Sequence, residues 1–373
     1  MDFTLLENYM KLLVESTGSV DTQIKVFKDK NEVFSYCGGY RDALHTLPAT
    51  HDDCFYFYSL SKPVTCTAAM QLYERGLLDL YAPVSKYLPY FEDAFYADEN
   101  GKKKSGNDIL VWHLFAMQSG FNYDENSALF KELVAKDGTT QQIMEATVKT
   151  IPMSFPAGEK WQYSCRNHEA LGCIIEKISG LSFPEYLKQN IFEPLGMENI
   201  GFSLEGFLAD NIADMFRKAE NDGGLETVPR DDFRGYTKHY YSGGRGLIGN
   251  IKAYAKFAVA MANGGVGENG VRIIKQETID VLKRDMLSNK NRANFHFSPY
   301  GYGYGLGVRT LISKDAGAPS GIGEFGWDGA AGAYTLMDNE NNIAIVFLTH
   351  TLSGNPELDQ LKIRDLAYKG IFG

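Results

Sequence analysis

The sequence predicts a mixed α/β (α+β) fold, in which strands from both ends of the chain form one antiparallel sheet and a mainly helical lobe is inserted between them. Alternating apolar and polar residues at 23–27 and 32–36 are typical of hairpin strands, and residues 334–337 and 343–348, joined by the polar run 338–342, predict a second hairpin. From residue 62 to about 232 the apolar spacing and the capping residues are those of helices. We therefore predict an α/β lobe from residues 1–75 and 233–373, a helical lobe from 76–232, and an active site in the cleft between them.

The N-terminal elements are a helix and a hairpin. Residues 1–16 predict an amphipathic helix. Its apolar side is expected to carry Leu5, Leu6, Tyr9, Leu12 and Leu13. The two strands that follow are separated by Asp29-Lys30-Asn31, which is typical of a hairpin turn.

Helix signals dominate the middle of the chain and return at its end. One central helix has an inner stripe of Leu171, Ile174, Ile175 and Ile178, and Ser182 with Glu185 forms a capping-box pattern that begins the next helix. A later helix begins at residue 251 and stops at residues 263–265, and residues 356–369 form a closing helix after the second hairpin.

The charge of the chain argues against two classes of partner. The 373 residues carry a net charge of −10, and the sequence pI is about 5.3. An acidic protein of this kind is not expected to bind nucleic acid or an anionic membrane surface. We expect a small-molecule substrate as the partner, and the oligomeric state is not predicted.

Cysteine usage and the N-terminus both indicate a cytoplasmic protein. The five cysteines contain no Cys-x-x-Cys pair, and an odd number cannot all pair internally. Asp2 and Glu7 stand where a signal peptide would carry basic residues, and the chain has no long apolar run.

Ser59 and Lys62 form a Ser-x-x-Lys pattern at the predicted start of a helix, with Pro63 in the first turn. Residues three apart share a helix face, so the hydroxyl and the amine can meet there. A helix N-terminus also favours developing negative charge. The pattern predicts a serine nucleophile beside a lysine base.

A lysine base needs a shifted pKa. At its ordinary pKa near 10.4, only about one lysine in a few thousand is neutral at pH 7. For Lys62, or Tyr163 acting with it, to serve as base, we expect burial and neighbouring cations to shift the pKa by roughly three, which corresponds to about 4 kcal/mol.

The sequence lacks the motifs of several other catalytic and binding chemistries. The chain has no Gly-x-Ser-x-Gly elbow, no His-Glu-x-x-His, no paired-cysteine zinc site and no Gly-x-x-x-x-Gly-Lys phosphate loop. Neither a metal nor a cofactor is expected. The seven histidines are scattered, and each is interpreted as structural or superficial.

Several blocks together resemble the class C β-lactamase and penicillin-binding-protein family. They occur in the family's order from about residue 20 to 350. The blocks are 58–63 (YSLSKP), 74–80 (ERGLLDL), 83–89 (PVSKYLP), 156–158 (PAG), 161–164 (WQYS), 194–197 (PLGM), 243–246 (GGRG), 263–265 (NGG) and 326–329 (GWDG). The resemblance implies a β-lactamase/transpeptidase-like fold with an all-helical lobe, in agreement with the pattern of strands and helices.

The resemblance also implies roles for individual residues. Ser59 matches the acylated nucleophile, Lys62 matches its partner, and Tyr163 matches the tyrosine that relays protons at the nucleophile and the leaving group. The backbone N–H groups of Ser59 and Ala330 match the oxyanion hole, where loss of one donor typically costs about 10²–10³ in rate.

Two departures from the family pattern concern the substrate. Cys165 stands where the family often has an asparagine that holds the side chain of a β-lactam, and a thiol is a poor substitute for an amide. Trp327, Asp328 and Gly329 stand where the family often has Lys-Thr-Gly or His-x-Gly, so that an indole and a carboxylate replace the group that meets a substrate carboxylate. Esterases that resemble this family often carry tryptophan there.

Three readings therefore remain open at the level of the sequence. The first is a serine hydrolase that acts on small neutral carboxylic esters. The second is a β-lactamase or D-amino-acid peptidase, in which Asp328 could meet a substrate ammonium. The third is a non-catalytic binding protein on the same fold.

Overall fold

The computed structural model describes residues 1–97, 101, 103–105, 109–123, 128–219, 224–229, 238–352 and 356–373. Its helices, in chain order, are α1 Thr4–Ser16, α2 Ser61–Glu74, α3 Val111–Phe115, α4 Ala128–Ala135, α5 Thr140–Thr150, α6 Arg166–Ser179, α7 Phe183–Leu187, α8 Glu193–Leu195, α9 Phe207–Asn211, α10 Ile251–Ala262, α11 Gln276–Leu282, α12 Asn289–Arg292 and α13 Pro356–Phe372. Its strands are β1 Thr22–Lys28, β2 Asn31–Gly38, β3 Cys54–Tyr56, β4 Phe95–Ala97, β5 Lys103–Ser105, β6 Ile200–Gly201, β7 Met215–Lys218, β8 Leu225–Val228, β9 Ile248–Asn250, β10 Tyr302–Tyr304, β11 Arg309–Leu311, β12 Phe325–Asp328, β13 Tyr334–Asp338, β14 Ile343–Thr349 and β15 Thr351–Leu352.

A seven-stranded antiparallel sheet joins the two ends of the chain, as the sequence predicts. Its strand order is β10-β11-β12-β13-β14-β1-β2, so the N-terminal hairpin pairs with the late strand β14. Helices α1 and α13 pack together on one face of this sheet, and α10 packs on the strands β13, β14 and β1. Helices on both faces explain why β1 and β14 are buried along almost their whole length.

Both predicted hairpins are confirmed. In the first, Asp29 and Lys30 have φ angles of +49° and +68°, which is the left-handed backbone of a two-residue type I′ turn. This turn suits the right-handed twist of paired strands, so β1 and β2 can continue directly into one another. The second hairpin pairs β13 with β14, with Tyr334 opposite Phe347.

The buried face of helix α1 differs from the predicted one. Leu6, Met10 and Leu13 are buried, whereas Leu5 and Leu12 are 50% and 55% exposed. Positions 6, 10 and 13 and positions 5, 9 and 12 each follow the i, i+4, i+7 spacing of a helical stripe, and packing against the sheet and α13 buries the first stripe. Positions 5 and 12 lie beside that stripe and face outward.

The central helices agree with the apolar stripe and the capping box predicted from the sequence. Leu171, Ile174 and Ile175 of α6 are fully buried, and Ser182 and Glu185 form the predicted capping box at the start of α7. Helix α2 is buried from Ser61 to Leu72, so it runs through the core with neighbours on all sides. This buried position removes the first turn of α2 from bulk water.

The proposed lobe boundaries remain a proposal, and the one between residues 232 and 233 lies outside the described residues. Strand pairing bears on it, because β6 pairs with β9 and β7 pairs with β15. These pairings connect residues 200–218 with the α/β part and favour a boundary before Ile200. Across the described ranges no helix is both long and apolar enough to cross a lipid bilayer.

Candidate active site

Ser59 lies in a short 3₁₀ turn, Tyr58–Leu60, that leads directly into helix α2. The preceding residue, Tyr58, has a φ angle of +47°, which is the left-handed region that a bulky side chain rarely adopts. Strained backbone of this kind is concentrated at functional sites. Ser59 is 9% exposed and faces a cavity of about 180 Å³. The nucleophile predicted from the sequence therefore reaches open space at a helix N-terminus.

Lys62 lies one helical turn after Ser59 and is fully buried. Its Nζ donates hydrogen bonds to three acceptors: Ser59 Oγ at 2.8 Å, Gly244 O at 2.7 Å and Cys165 Sγ at 3.3 Å. Three acceptors match the three N–H donors of a lysine ammonium. The predicted Ser-x-x-Lys contact is present, and the glycine-rich block at 243–246 supplies one of the acceptors.

The pKa of Lys62 departs from the sequence expectation. Burial lowers the pKa of Lys62, but the neighbouring Cys165 and Tyr163 groups raise it, and the net direction is upward. The expected lowering by neighbouring cations is therefore wrong, because the groups around the amine are acceptors that stabilise its charge. Lys62 accordingly holds its proton in the resting site and must release it before the Lys62–Tyr163 pair can act as base.

Tyr163 completes the set of contacts at the nucleophile. Its hydroxyl donates a 2.5 Å hydrogen bond to Ser59 Oγ, and Lys62 Nζ lies 4.6 Å from the centre of its ring. Burial raises the pKa of the Tyr163 hydroxyl and Lys62 lowers it, with a net upward direction. Ser59 Oγ thus contacts both groups that can remove its proton.

Trp327 holds Tyr163 from the sheet. The indole Nε1 of Trp327 donates to Tyr163 Oη at 3.3 Å, and the two rings stack with centroids 5.8 Å apart. Trp327 is 2% exposed, packed at the end of β12 among other aromatic rings. An aromatic stack with a directed hydrogen bond restricts the Tyr163 hydroxyl to the position where it meets Ser59.

The loop after β12 carries Ala330 to the same cavity as Ser59. Its ends are closed by hydrogen bonds from Gly329 N–H to Ala333 O at 2.7 Å and from Thr351 N–H to Ala331 O at 3.1 Å. The backbone N–H groups proposed as oxyanion donors, those of Ser59 and Ala330, therefore belong to residues that border one space. Whether both N–H vectors point at a substrate oxygen remains a prediction.

The four residues predicted to bind substrate divide into two pairs. Trp327 and Asp328 line the cavity of Ser59. Cys165 instead packs its thiol against Lys62, and Gly329 occupies a tight turn in which a Cβ would lie 2.6 Å from Phe57 O. We therefore place Cys165 and Gly329 among the residues that support the site.

The backbone of Gly244 lies directly against Cys165. A Cβ at Gly244 would lie 2.7 Å from the Cβ of Cys165, so this backbone passes directly against the thiol side chain. Cys165 Sγ also lies 3.3 Å from the hydroxyl of Tyr123. The thiol is thus enclosed by Lys62, Gly244 and Tyr123.

Sequence reasoning missed three residues near the site. His296 lines the cavity, Tyr123 contacts Cys165, and His168 lies fully buried close enough to Lys62 for that charge to lower its pKa further. His168 stands three residues after Cys165, so its place on the same face of α6 could have been read from helical spacing. No spacing signal marks His296 or Tyr123, because each reaches the site from a loop.

Comparison with known proteins places this geometry in a family. The profile of the Beta-lactamase family matches residues 6–368. A Salmonella typhimurium protein, provisionally named a D-alanyl-D-alanine carboxypeptidase, is 24% identical over 366 residues, covering 92% of this chain and 82% of that protein.

Two solved structures share the fold. EstCE1, described as a hydrolase with promiscuous acyltransferase activity, superposes with a TM-score of 0.79 at 22% identity and covers 97% of both chains. Simvastatin synthase (LovD) from Aspergillus terreus superposes with a TM-score of 0.80 at 20% identity, covering 100% of this chain and 98% of that one. At these identities the likeness concerns the fold. Since the family profile spans nearly the whole chain, this protein belongs to the Beta-lactamase family.

Proposed function

We propose that this protein is a serine hydrolase that forms an acyl-enzyme at Ser59 from small neutral carboxylic esters. The observation that carries the proposal is the position of Ser59 Oγ, within 2.8 Å of Lys62 Nζ and 2.5 Å of Tyr163 Oη, at the wall of a cavity of about 180 Å³. Both proton-transfer groups required for nucleophilic catalysis contact the nucleophile.

The reaction follows from these contacts. Ser59 Oγ attacks the ester carbonyl carbon, and its proton passes to the Lys62–Tyr163 pair after that pair has lost a proton to solvent. The carbonyl oxygen becomes an oxyanion that the N–H groups of Ser59 and Ala330 stabilise. When the tetrahedral intermediate collapses, the C–O bond to the alcohol breaks and the pair returns the proton to the alcohol oxygen. A water molecule then attacks the acyl-enzyme by the same steps and restores Ser59.

Cavity size and charge support a small neutral substrate. A volume of 180 Å³ corresponds to roughly six water molecules at liquid density, which suits a short acyl or alcohol group. Among the described side chains lining this cavity none is a lysine or arginine, and Asp328 contributes a carboxyl group. A substrate carboxylate would therefore meet no cationic partner on the wall.

A D-amino-acid peptidase is the second candidate, and Asp328 is the observation that favours it. Its position on the cavity wall would allow it to receive the ammonium of an N-terminal D-amino acid. The same residue disfavours a carboxypeptidase or β-lactamase, because those substrates bring a carboxylate.

A substrate panel tests the proposal. We expect the wild-type protein to hydrolyse p-nitrophenyl butyrate with a kcat/KM at least a hundredfold above that for a chromogenic cephalosporin and above that for D-alanine p-nitroanilide. Ser59→Ala should abolish ester hydrolysis. A preference for the cephalosporin would favour the β-lactamase reading, and a preference for the anilide would favour the peptidase.

A further inference from the structure

We infer that His296 is a substrate-binding residue that recognises a hydroxyl-bearing alcohol group of the ester; this inference rests on the proposed function. His296 is one of six residues that line the cavity of Ser59. It belongs to neither the Ser-x-x-Lys helix, the Tyr163 segment nor the late strand. It comes from the chain between α12 and β10 and is exposed.

Aromatic packing fixes the ring of His296. Its centroid lies 4.4 Å from that of Phe297 and 5.4 Å from that of Phe295, and it also approaches Trp161 at 6.2 Å. An exposed side chain held by three rings loses little further conformational freedom when a ligand arrives. The ring therefore presents a defined edge at the cavity.

The ring nitrogens of His296 are available to a ligand. Within the described part of the chain, neither nitrogen has a hydrogen-bond partner. A neutral imidazole offers one donor and one acceptor. A polar edge on a cavity wall beside the Tyr163 and Trp327 rings is the kind of group that fixes a ligand's orientation.

The position of His296 relative to Trp327 indicates which part of the substrate it meets. In the proposed reaction the Lys62–Tyr163 pair returns a proton to the alcohol. Tyr163 is the member of that pair that lines the cavity, so the alcohol leaves beside its hydroxyl. Trp327 contacts that hydroxyl, and the ring of His296 lies 6.5 Å from the ring of Trp327. An alcohol group that extends past the ester oxygen along the indole therefore reaches His296.

The chemistry of the wall suggests a polyhydroxy alcohol. On this wall the imidazole can donate or accept a hydrogen bond, and the carboxyl group of Asp328 can accept one. An alcohol with additional hydroxyl groups can hydrogen-bond to this wall, whereas an alkyl alcohol offers no hydroxyl group to the nitrogens of His296. Glycerol esters of short acids are the simplest substrates of this class.

A matched pair of esters tests the inference. Glyceryl monobutyrate and propyl butyrate share the acyl group and the carbon count of the alcohol, and they differ only in two hydroxyl groups. We expect the wild type to hydrolyse the glyceryl ester with a kcat/KM about five- to tenfold higher, the effect of one ordinary hydrogen bond. Acid release in a pH-stat measures both.

Three variants separate hydrogen bonding from packing. His296→Phe retains the ring and should lower the ratio of glyceryl to propyl ester to between about one and two, with propyl butyrate hydrolysis changed less than about threefold. His296→Gln keeps a donor and should retain part of the preference. His45→Phe alters another exposed histidine, which lines a different cavity, and should change nothing.

The outcomes are distinguishable from failure of the proposed function. Equal rates for the two esters in the wild type, or an unchanged ratio in His296→Phe, would overturn the role of His296 and leave ester hydrolysis intact. If a fluorophosphonate labels Ser59 but neither butyrate is hydrolysed, the substrate class inferred here is wrong. Absence of labelling would remove the proposed function and this inference with it.

Discussion

Cys165 Sγ lies 3.3 Å from Lys62 Nζ and, with Gly244 O and Ser59 Oγ, completes three acceptors around a fully buried amine. A group interpreted from the sequence as a weakened substrate contact is instead part of the environment of the base. Because the neighbouring Cys165 and Tyr163 groups raise the pKa of Lys62 despite its burial, the thiol influences when the base becomes available.

The first prediction concerns the pH dependence of the reaction. A raised pKa of Lys62 means that the base forms only as the pH rises, so kcat/KM should still be increasing in the alkaline range. Cys165→Ser removes an ionisable group that raises this pKa, and the ascending limb should therefore move to lower pH. Cys37→Ser, on strand β2, is the control and should leave the profile unchanged. An unshifted limb in Cys165→Ser would contradict the assigned influence of the thiol.

The second prediction is covalent labelling of Ser59. A fluorophosphonate should add one adduct per chain to the peptide that contains Ser59 and Ser61, and fragment masses should place it on Ser59. Ser59→Ala should lose the label and keep its circular dichroism spectrum, whereas Ser35→Ala should label like the wild type. A label on Ser61, whose hydroxyl accepts a hydrogen bond from Leu247 N–H, is not compatible with the mechanism. Complete absence of wild-type labelling would favour a binding protein.

The third prediction concerns the two proton-transfer groups. Lys62→Ala should reduce kcat by about 10³-fold or more, and Tyr163→Phe should reduce it by at least about 10²-fold, because each loses a contact to Ser59 Oγ. Steady-state ester hydrolysis measures both, with thermal unfolding as the check on folding. A Lys62→Ala variant that keeps a tenth of the wild-type kcat would exclude Lys62 from the proton pathway.

The fourth prediction separates the two departures from the family pattern. Trp327 lines the cavity, so Trp327→Lys should raise the ratio of cephalosporin to butyrate kcat/KM by about tenfold through a charge-assisted hydrogen bond. Cys165→Asn should leave that ratio within about twofold, because residue 165 contacts Lys62 and not the cavity. Trp327→Phe controls for loss of the indole without a new charge. A large effect of Cys165→Asn would mean that this side chain does reach substrate.

The fifth prediction concerns acid stability and His168. Neither ring nitrogen of His168 has a hydrogen-bond partner in the described structure, and burial with the nearby Lys62 charge holds its pKa well below the usual range. Burial likewise lowers the pKa of His51 to about 4. At acidic pH the unfolded chain binds protons at these histidines that the folded chain does not bind. The free energy of unfolding should therefore be highest above about pH 6.5 and decrease as the pH falls below it.

Below about pH 6.5, each of these two histidines lowers the free energy of unfolding by up to about 1.4 kcal/mol per pH unit. Urea unfolding of the wild type at several pH values between about 5 and 7.5 measures the slope. The slope counts the protons that the chain takes up on unfolding, and His168→Asn should reduce this number by one even if the variant is less stable at neutral pH. His51→Asn is the matched comparison. A slope that His168→Asn leaves unchanged would contradict the buried neutral state of this ring.

Patterns among neighbouring residues were sufficient to predict the hairpins and helices of the fold. The hairpin around Asp29 and Lys30 depends on a turn that only a few backbone conformations satisfy, and the capping box of Ser182 and Glu185 depends on contacts three residues apart. The outward-facing Leu5 and Leu12 were misassigned because a helix's apolar residues reveal its buried stripe only when the neighbouring helix is known. That neighbour, α13, lies more than 300 residues away in the chain.

The sequence by itself determined the sheet formed by both termini, the Ser59–Lys62 pair and the family, because these depend on local spacing and on blocks in a recognisable order. Only the tertiary structure decided that Cys165 faces Lys62, that Trp327 supports Tyr163, and that the acceptors around Lys62 raise its pKa. The physical reason is that charge stabilisation and cavity walls depend on atoms that meet across the fold, as His296 meets the cavity of Ser59 from a loop more than 200 residues away.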